Sequence, residues 1–234
     1  MRQYILATAL IGGIAALAVA QRSSAAETVL LAPVPAMNVP LAKAPGSETA
    51  ILSGGCFWGM QVVFQHLKGV KTAVSGYTGG TAQTAHYDDV STGTTGQAES
   101  LKITFDPSVI TYGQLLQVYV SVAADPTQLN YQGPDHGTQY RSEIWVASRQ
   151  QRQIAQAYVK QLTADHTFPA PIVTKIADVQ PFFTAEAYHQ NYATLHPDSG
   201  YIATFDAPKV SALEHLFPSL YVGQPKLVSL GAAG

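Results

Sequence analysis

Cys56 is the only cysteine among 234 residues, and it stands in Gly54-Gly55-Cys56-Phe57-Trp58-Gly59. A thiol does nucleophilic chemistry as its thiolate, and the N-terminus of a helix favours that form. The sequence puts Cys56 at such a point. The apolar run Ala50-Ile51-Leu52 reads as a buried strand, and Met60, Val63, Phe64 and Leu67 recur at the spacing of one helix face. The dipole of that helix is expected to favour the thiolate. At about 100° per residue, Trp58 falls roughly 160° from the centre of the apolar stripe. It is therefore expected to face away from the core and to wall an apolar pocket beside the thiol. Phe57, at the edge of the stripe, can serve both core and pocket.

Glu99 ends Thr94-Thr95-Gly96-Gln97-Ala98-Glu99, just before a second strand pattern. In water it is an ordinary carboxylate. Buried beside aromatic rings, its pKa would rise and leave it a proton donor near neutrality. Gly133-Pro134-Asp135-His136-Gly137-Thr138-Gln139-Tyr140-Arg141-Ser142 packs polar and turn-forming residues into a loop that can converge on a ligand. Taken singly, Asp135 and His136 read as turn residues, and Tyr87 is equally plain. His86, His136, His189 and His196 show no His-x-x-x-His spacing, and the thiol has no companion, so no metal site is expected.

The elements that must position these residues alternate between strand and helix, which predicts a mixed α/β sandwich. Strands are expected at Ala50–Leu52, Val70–Tyr77, Ser100–Phe105, Glu143–Ala147 and Ile172–Ile176. Helices are expected after Cys56, around Tyr112–Val120, around Ile154–Leu162, over Phe182–Tyr192, and as a short piece near Ala212–Leu216. Residues 81–97 and 125–140 read as long loops, and loops of that length inside a compact domain are usually functional.

Of the residues, 47% are hydrophobic, which fits a packed globule, and only 12% are charged. No Lys or Arg run offers a phosphate-tracking surface, so nucleic acid is not an expected partner. Residues 1–26 read as a secretory signal peptide: Arg2, an apolar stretch from Tyr4 to Ala20, then small residues around Ser24-Ala25-Ala26. The alternative is an uncleaved N-terminal membrane anchor. Cleavage would remove Arg2 and Arg22 and no acid, taking the net charge from −2 to −4, and would leave an exported domain, expected in the periplasm, with no membrane attachment. Residues 27–47, spaced by Pro33, Pro35, Pro40 and Pro45, read as an extended, mobile linker. The compact domain is expected over 48–222, with an irregular tail over 223–234. A lone cysteine in an exported protein is either a buried small hydrophobe or a working thiol, and the flanking glycines and aromatics favour the second.

Taken together, Gly54–Gly59, Ser75–Gly80, Tyr87, Gly96–Glu99, Asp106–Leu115, Asp135–Ser142 and Ala187–Tyr192 resemble, in order, the motifs of the class A peptide methionine sulfoxide reductases. The resemblance spans roughly residues 48–217. It implies an α+β, ferredoxin-like two-layer sandwich with a mixed central sheet and long functional loops, and reduction of methionine S-sulfoxide, free or in proteins. It implies Cys56 as nucleophile, Phe57 and Trp58 as the seat of the substrate's S-methyl group, Glu99 as proton donor, Tyr87 and Tyr140 as hydrogen-bond donors to the sulfoxide oxygen, and Asp135 as an organiser of the site. It implies no bound cofactor and a monomer. Many members carry C-terminal cysteines that resolve the sulfenic acid; here that region reads His196-Pro197-Asp198-Ser199-Gly200-Tyr201-Ile202. The expected reductant is therefore external: a thioredoxin- or glutaredoxin-type protein, or a small thiol. Gln97 replaces a common histidine, and since its amide both donates and accepts, the change is expected to be tolerated. A thiol peroxidase, a cysteine hydrolase using His189 or His196 as base, and a non-catalytic methyl-binding domain remain alternatives on the residues alone.

Overall fold

The computed structural model describes residues 29–229. The leader read over 1–26 and the last five residues of the tail lie outside that range. Among the described residues no helix is long and apolar enough to cross a membrane.

Strand β1 (Glu48–Ser53) runs straight into the Gly-Gly turn and helix α1 (Phe57–Gln65). Strand β2 (Val70–Thr78) follows, then a short helix α2 (Tyr87–Val90) and β3 (Ala98–Phe105). Helix α3 (Tyr112–Val118) opens with a capping box between Thr111 and Gln114 and continues into a π-helical turn, Tyr119–Ala123. A two-stranded hairpin, β4 (Tyr131–Gln132) and β5 (Asp135–His136), precedes β6 (Glu143–Val146). Helix α4 (Arg149–Ala164), capped by Ser148, leads to β7 (Lys175–Asp178) and β8 (Phe182–Thr184). Helix α5 (Tyr192–Leu195), a π turn (Ile202–Asp206) and α6 (Ala207–Leu216) close the domain.

The main sheet has the order β7-β6-β1-β3-β2-β8. Only β6 and β7 pair in parallel, so the sheet is mixed. Its centre, β6-β1-β3-β2, with α1 linking β1 to β2 and α3 between β3 and β6, is the ferredoxin-like arrangement inside an α+β fold. Ala50, Leu52, Leu101, Ile103, Ile144 and Val146 share a core with Met60, Val63, Phe64, Leu115, Leu116, Ile154 and Leu213. Fully burying each such side chain contributes about 1.5–3 kcal/mol, so this face fixes α1 on the sheet.

Four expectations change. Residues 29–47 are extended but docked rather than mobile: Ala32 is fully buried, its carbonyl accepts from Gln117, Tyr158 donates to the Pro33 carbonyl, and Asn38 bonds Thr111. The helix expected over Phe182–Tyr192 is instead β8, which extends the sheet beside β2, followed by a 3-10 turn at Ala187–His189. The strand expected at 172–176 begins later, at Lys175, where pairing to β6 starts. The final helix is also longer than expected, spanning Ala207–Leu216.

Candidate active site

Cys56 is the N-cap residue of α1, reached from β1 through Gly54 and Gly55. Gly55 takes φ = +89°, a conformation that side chains other than glycine rarely adopt, so the turn needs glycine there. Beneath the turn, the Tyr119 hydroxyl donates to the Ser53 carbonyl (2.6 Å) and the Trp145 indole to Ser53 Oγ (2.8 Å).

A pocket of about 180 Å³ opens over the thiol, lined by Cys56, Phe57, Trp58, Tyr87, Glu99, Asp135, Tyr140 and Tyr201. All seven residues singled out in the sequence therefore meet in one place, although they come from α1, α2, β3, β5 and the turn before β6. Arg141 ties two of these segments together. Its guanidinium donates to the carbonyls of Gly96, Gln97 and Thr138 and pairs with Glu143 at 2.7 Å. This pins the 135–141 segment to the strand that carries Glu99. The Gln97 side chain accepts from Gly80 N–H (3.2 Å) and donates to the Thr81 carbonyl (2.9 Å), using both halves of its amide.

Glu99 is 3% exposed, and its Oε2 accepts the Phe57 backbone N–H at 2.9 Å, one residue beyond the thiol. Burial pushes its carboxyl up to about 8, against the pull of the Phe57 N–H, with Asp135 and Asp206 adding to the rise. Glu99 is thus a neutral acid at pH 7. The phenols of Tyr87 and Tyr140 are raised first by burial and then by Glu99, so both remain donors. Asp135 accepts from the Tyr201 hydroxyl at 2.5 Å.

The charge state of Cys56 corrects the sequence reading. Burial, then Glu99, then Asp206 push the thiol well above its ordinary range; the Trp58 backbone N–H pulls it down by less, and Asp135 also pushes upward. In the resting pocket the neutral thiol prevails. The helix end is present, but a single amide does not offset the lost hydration and the carboxyl groups around it.

The opposite wall is aromatic. Trp58 stacks on Tyr192 (centroids 3.9 Å apart, 15° between planes) and meets Tyr201 edge-on at 5.9 Å. Phe57 is buried against Tyr77 and His189. His189 Nδ1 accepts the Trp58 indole N–H at 3.2 Å, while its Nε2 lies 3.9 Å from Glu186. Both nitrogens are thus directed at groups other than the thiol, which removes His189 as a hydrolase base. Among the described residues no three His, Cys, Asp or Glu side chains gather as metal ligands would.

Sequence reasoning missed Tyr201 and Asp206. Asp206 is buried where the π turn meets α6, against the first turn of α1, and a Cβ at position 59 would collide with its carboxylate. The last glycine of the cysteine box was the available sign that something approaches there.

The family model for peptide methionine sulfoxide reductase matches residues 48–219. Among relatives, the peptide methionine sulfoxide reductase MsrA 2 of Mesorhizobium japonicum is 60% identical over 185 residues, covering 79% of this chain and 95% of that protein. The MsrA 2 of Synechocystis is 44% identical over 178 residues, covering 76% and 83%. Among solved structures, methionine sulfoxide reductase A of Corynebacterium diphtheriae superposes with a TM-score of 0.56 at 30% identity, covering 74% of this chain and 88% of that one. Reduced Mxr1 of Saccharomyces cerevisiae gives 0.60 at 29% identity, covering 67% and 92%.

Proposed function

The chain belongs to the class A peptide methionine sulfoxide reductase family, an oxidoreductase family acting on methionine sulfoxide in protein repair, and on that premise we propose how its pocket works. The substrate is methionine S-sulfoxide, free or in proteins. The pocket of about 180 Å³ over the thiol supports its reading as the seat of the methylsulfinyl end of the side chain. The methyl group rests against Phe57 and Trp58. The oxygen faces Glu99, Tyr87 and Tyr140.

A sulfoxide sulfur is a reluctant electrophile until its oxygen is protonated or strongly hydrogen-bonded. The neutral carboxyl of Glu99 supplies the proton, and the two phenols donate hydrogen bonds to the same oxygen. Cys56 Sγ then attacks the sulfur, and the thiol proton returns to Glu99. The S–S bond made by that attack and the substrate's S–O bond both break as the oxygen passes to Cys56, where a new S–O bond forms. The substrate sulfur gains two electrons, the cysteine sulfur loses two, and the products are methionine and a Cys56 sulfenic acid. Asp135, bonded to Tyr201, steadies the rim. An external thiol attacks the sulfenic acid to give a mixed disulfide and water, and a second thiol frees Cys56; the lone cysteine in 234 residues supports this route. The reductant class is a thioredoxin- or glutaredoxin-type protein or a small thiol.

The observation that carries this reading is the convergence of Cys56, Glu99, Tyr87, Tyr140, Phe57 and Trp58 on one pocket, with the acid bonded to the amide next to the thiol. A peptide carrying racemic methionine sulfoxide, incubated with dithiothreitol, tests it. One epimer is consumed and half the sulfoxide remains. Equal consumption of both epimers, or turnover by Cys56→Ser, overturns the reading.

A further inference from the structure

The mechanism above uses Trp58 but leaves unexplained what fixes it. Stacking on Tyr192 sets the plane of the indole, and the Tyr201 ring bounds it edge-on. The one polar anchor is the bond from indole Nε1–H to His189 Nδ1, at 3.2 Å. An indole nitrogen only donates, so Nδ1 must hold a lone pair, and the ring proton must be on Nε2.

His189 is built for that state. It is 1% exposed, and Nε2 is buried without a hydrogen bond, 3.9 Å from Glu186 Oε2. Glu186 is already engaged: Oε2 accepts from the Tyr77 hydroxyl and Oε1 from the Tyr87 backbone N–H. The imidazole also packs against Phe57 at 5.0 Å and Tyr87 at 4.5 Å, so it touches three pocket-lining residues at once. The chain immediately after it is clamped. Gln190 bonds Ser75 and Gln61, and the Asn191 side chain and amide bond Gln65 and Gln61. The ring cannot retreat from Trp58 without breaking contacts to α1 and β2.

We infer that His189, as the neutral Nε2–H imidazole, is a positioning residue for the methyl-binding wall, fixing the Trp58 indole by accepting its N–H. The inference rests on the reading of Trp58 as the seat of the substrate's methyl group. Its consequence is specific: loss of the acceptor loosens substrate binding and leaves the chemistry at Cys56 and Glu99 nearly intact.

Four measurements test it on the full chain. In wild type, long-range ¹H–¹⁵N spectra should show His189 Nδ1 unprotonated near neutral pH; a protonated Nδ1 overturns the inference without any variant. In His189→Phe the Trp58 indole N–H resonance should shift, with that of Trp145 as internal reference, and an unmoved resonance overturns it. The same variant should raise KM for a sulfoxide peptide by about tenfold, the effect of one lost hydrogen bond. Its single-turnover rate at saturation should stay within about threefold of wild type, on the same basis that the chemistry is untouched. A loss confined to that rate overturns the inference. In His189→Asn the Oδ1 can take the place of Nδ1, and both the resonance and KM should return toward wild type; failure of a folded His189→Asn to recover either overturns it. The underlying reading fails separately: if Trp58→Ala leaves KM unchanged while the wild-type tautomer and indole shifts are as expected, the bond stands and the methyl wall does not.

Discussion

The two walls of the pocket are held by opposite means. The acid wall, Glu99 with Tyr87 and Tyr140, consists of titratable groups whose protons are retained by burial. Its frame is ionic: Arg141 and Glu143 are paired, and three backbone carbonyls accept from the guanidinium. The aromatic wall, Phe57 and Trp58, carries no charge to suppress. Its frame is made of ring stacking and neutral amides, with Gln61, Gln65, Gln190 and Asn191 interlocked. The difference teaches that one desolvated cleft can serve two purposes. On one side, exclusion of water keeps an acid protonated. On the other it creates apolar surface for a methyl group. Changes on the first side should therefore appear in kcat, and changes on the second in KM.

The sharpest way to break that division is Glu99→Gln. The amide keeps an acceptor for the Phe57 N–H but has no acidic proton to give. The sulfoxide step should slow by roughly 10²- to 10⁴-fold, the usual weight of a general acid, with KM little changed. A wild-type rate in single-turnover measurements would remove Glu99 as the acid. Trp58→Ala addresses the other wall. Losing the indole surface should raise KM by about 10- to 100-fold, corresponding to roughly 1.5–3 kcal/mol of lost apolar contact. A collapse of kcat at unchanged KM would mean that the walls are not separable in this way.

A pH series refines the comparison within the acid wall. Glu99 holds its proton up to about 8. The reductive step should fall as pH rises through that value, about tenfold per unit once the carboxylate dominates, because one proton is lost. The thiol works in the opposite direction, since ionisation would help attack, but burial holds it high and an ionised Glu99 raises it further. Glu99→Gln should therefore lose the alkaline fall and show a residual rate that rises with pH. Stability follows the same sign. A carboxyl that is raised on folding contributes fully below its unfolded value near 4.5, and that contribution is lost as pH rises through about 8. Urea midpoints of wild type should fall more over this range than those of Glu99→Gln.

Much of this site was legible in local sequence. The strand, Gly-Gly turn and helix around Cys56 follow from a 3.6-residue stripe and from glycines where the chain turns, and Trp58 lies off the stripe as its angle requires. What was illegible depends on distant partners. The neutral thiol results first from burial and then from the carboxyl groups at 99, 206 and 135, and no periodicity near Cys56 reveals them. Burial of Glu99 is likewise made by other elements closing over β3. The segment 182–192 carries helix-compatible residues but takes part of its backbone bonding from the edge of β2, which gives strand. The proline-spaced stretch before Glu48 has no period of its own, yet Ala32 and the bonds to Gln117 and Tyr158 hold it in place. His189 was visible only as a histidine, because the bond that defines it spans 131 residues.

The smallest expected effect comes from Gln97, which stands beside the acid wall without belonging to it. Its side chain holds only the turn at Gly80 and Thr81, whereas it is its backbone carbonyl that accepts from Arg141. Replacing the side chain therefore leaves the Arg141 link in place. A histidine offers one donor and one acceptor but with a different reach, so Gln97→His should forfeit at most one hydrogen bond, about 1 kcal/mol of stability. The measured kcat and KM should stay within about twofold of wild type, since neither wall loses a group. A tenfold fall in kcat in a folded Gln97→His would show that the side chain at 97 reaches the acid two residues away. The boundary of the acid wall would then have to be drawn to include the turn at Gly80 and Thr81.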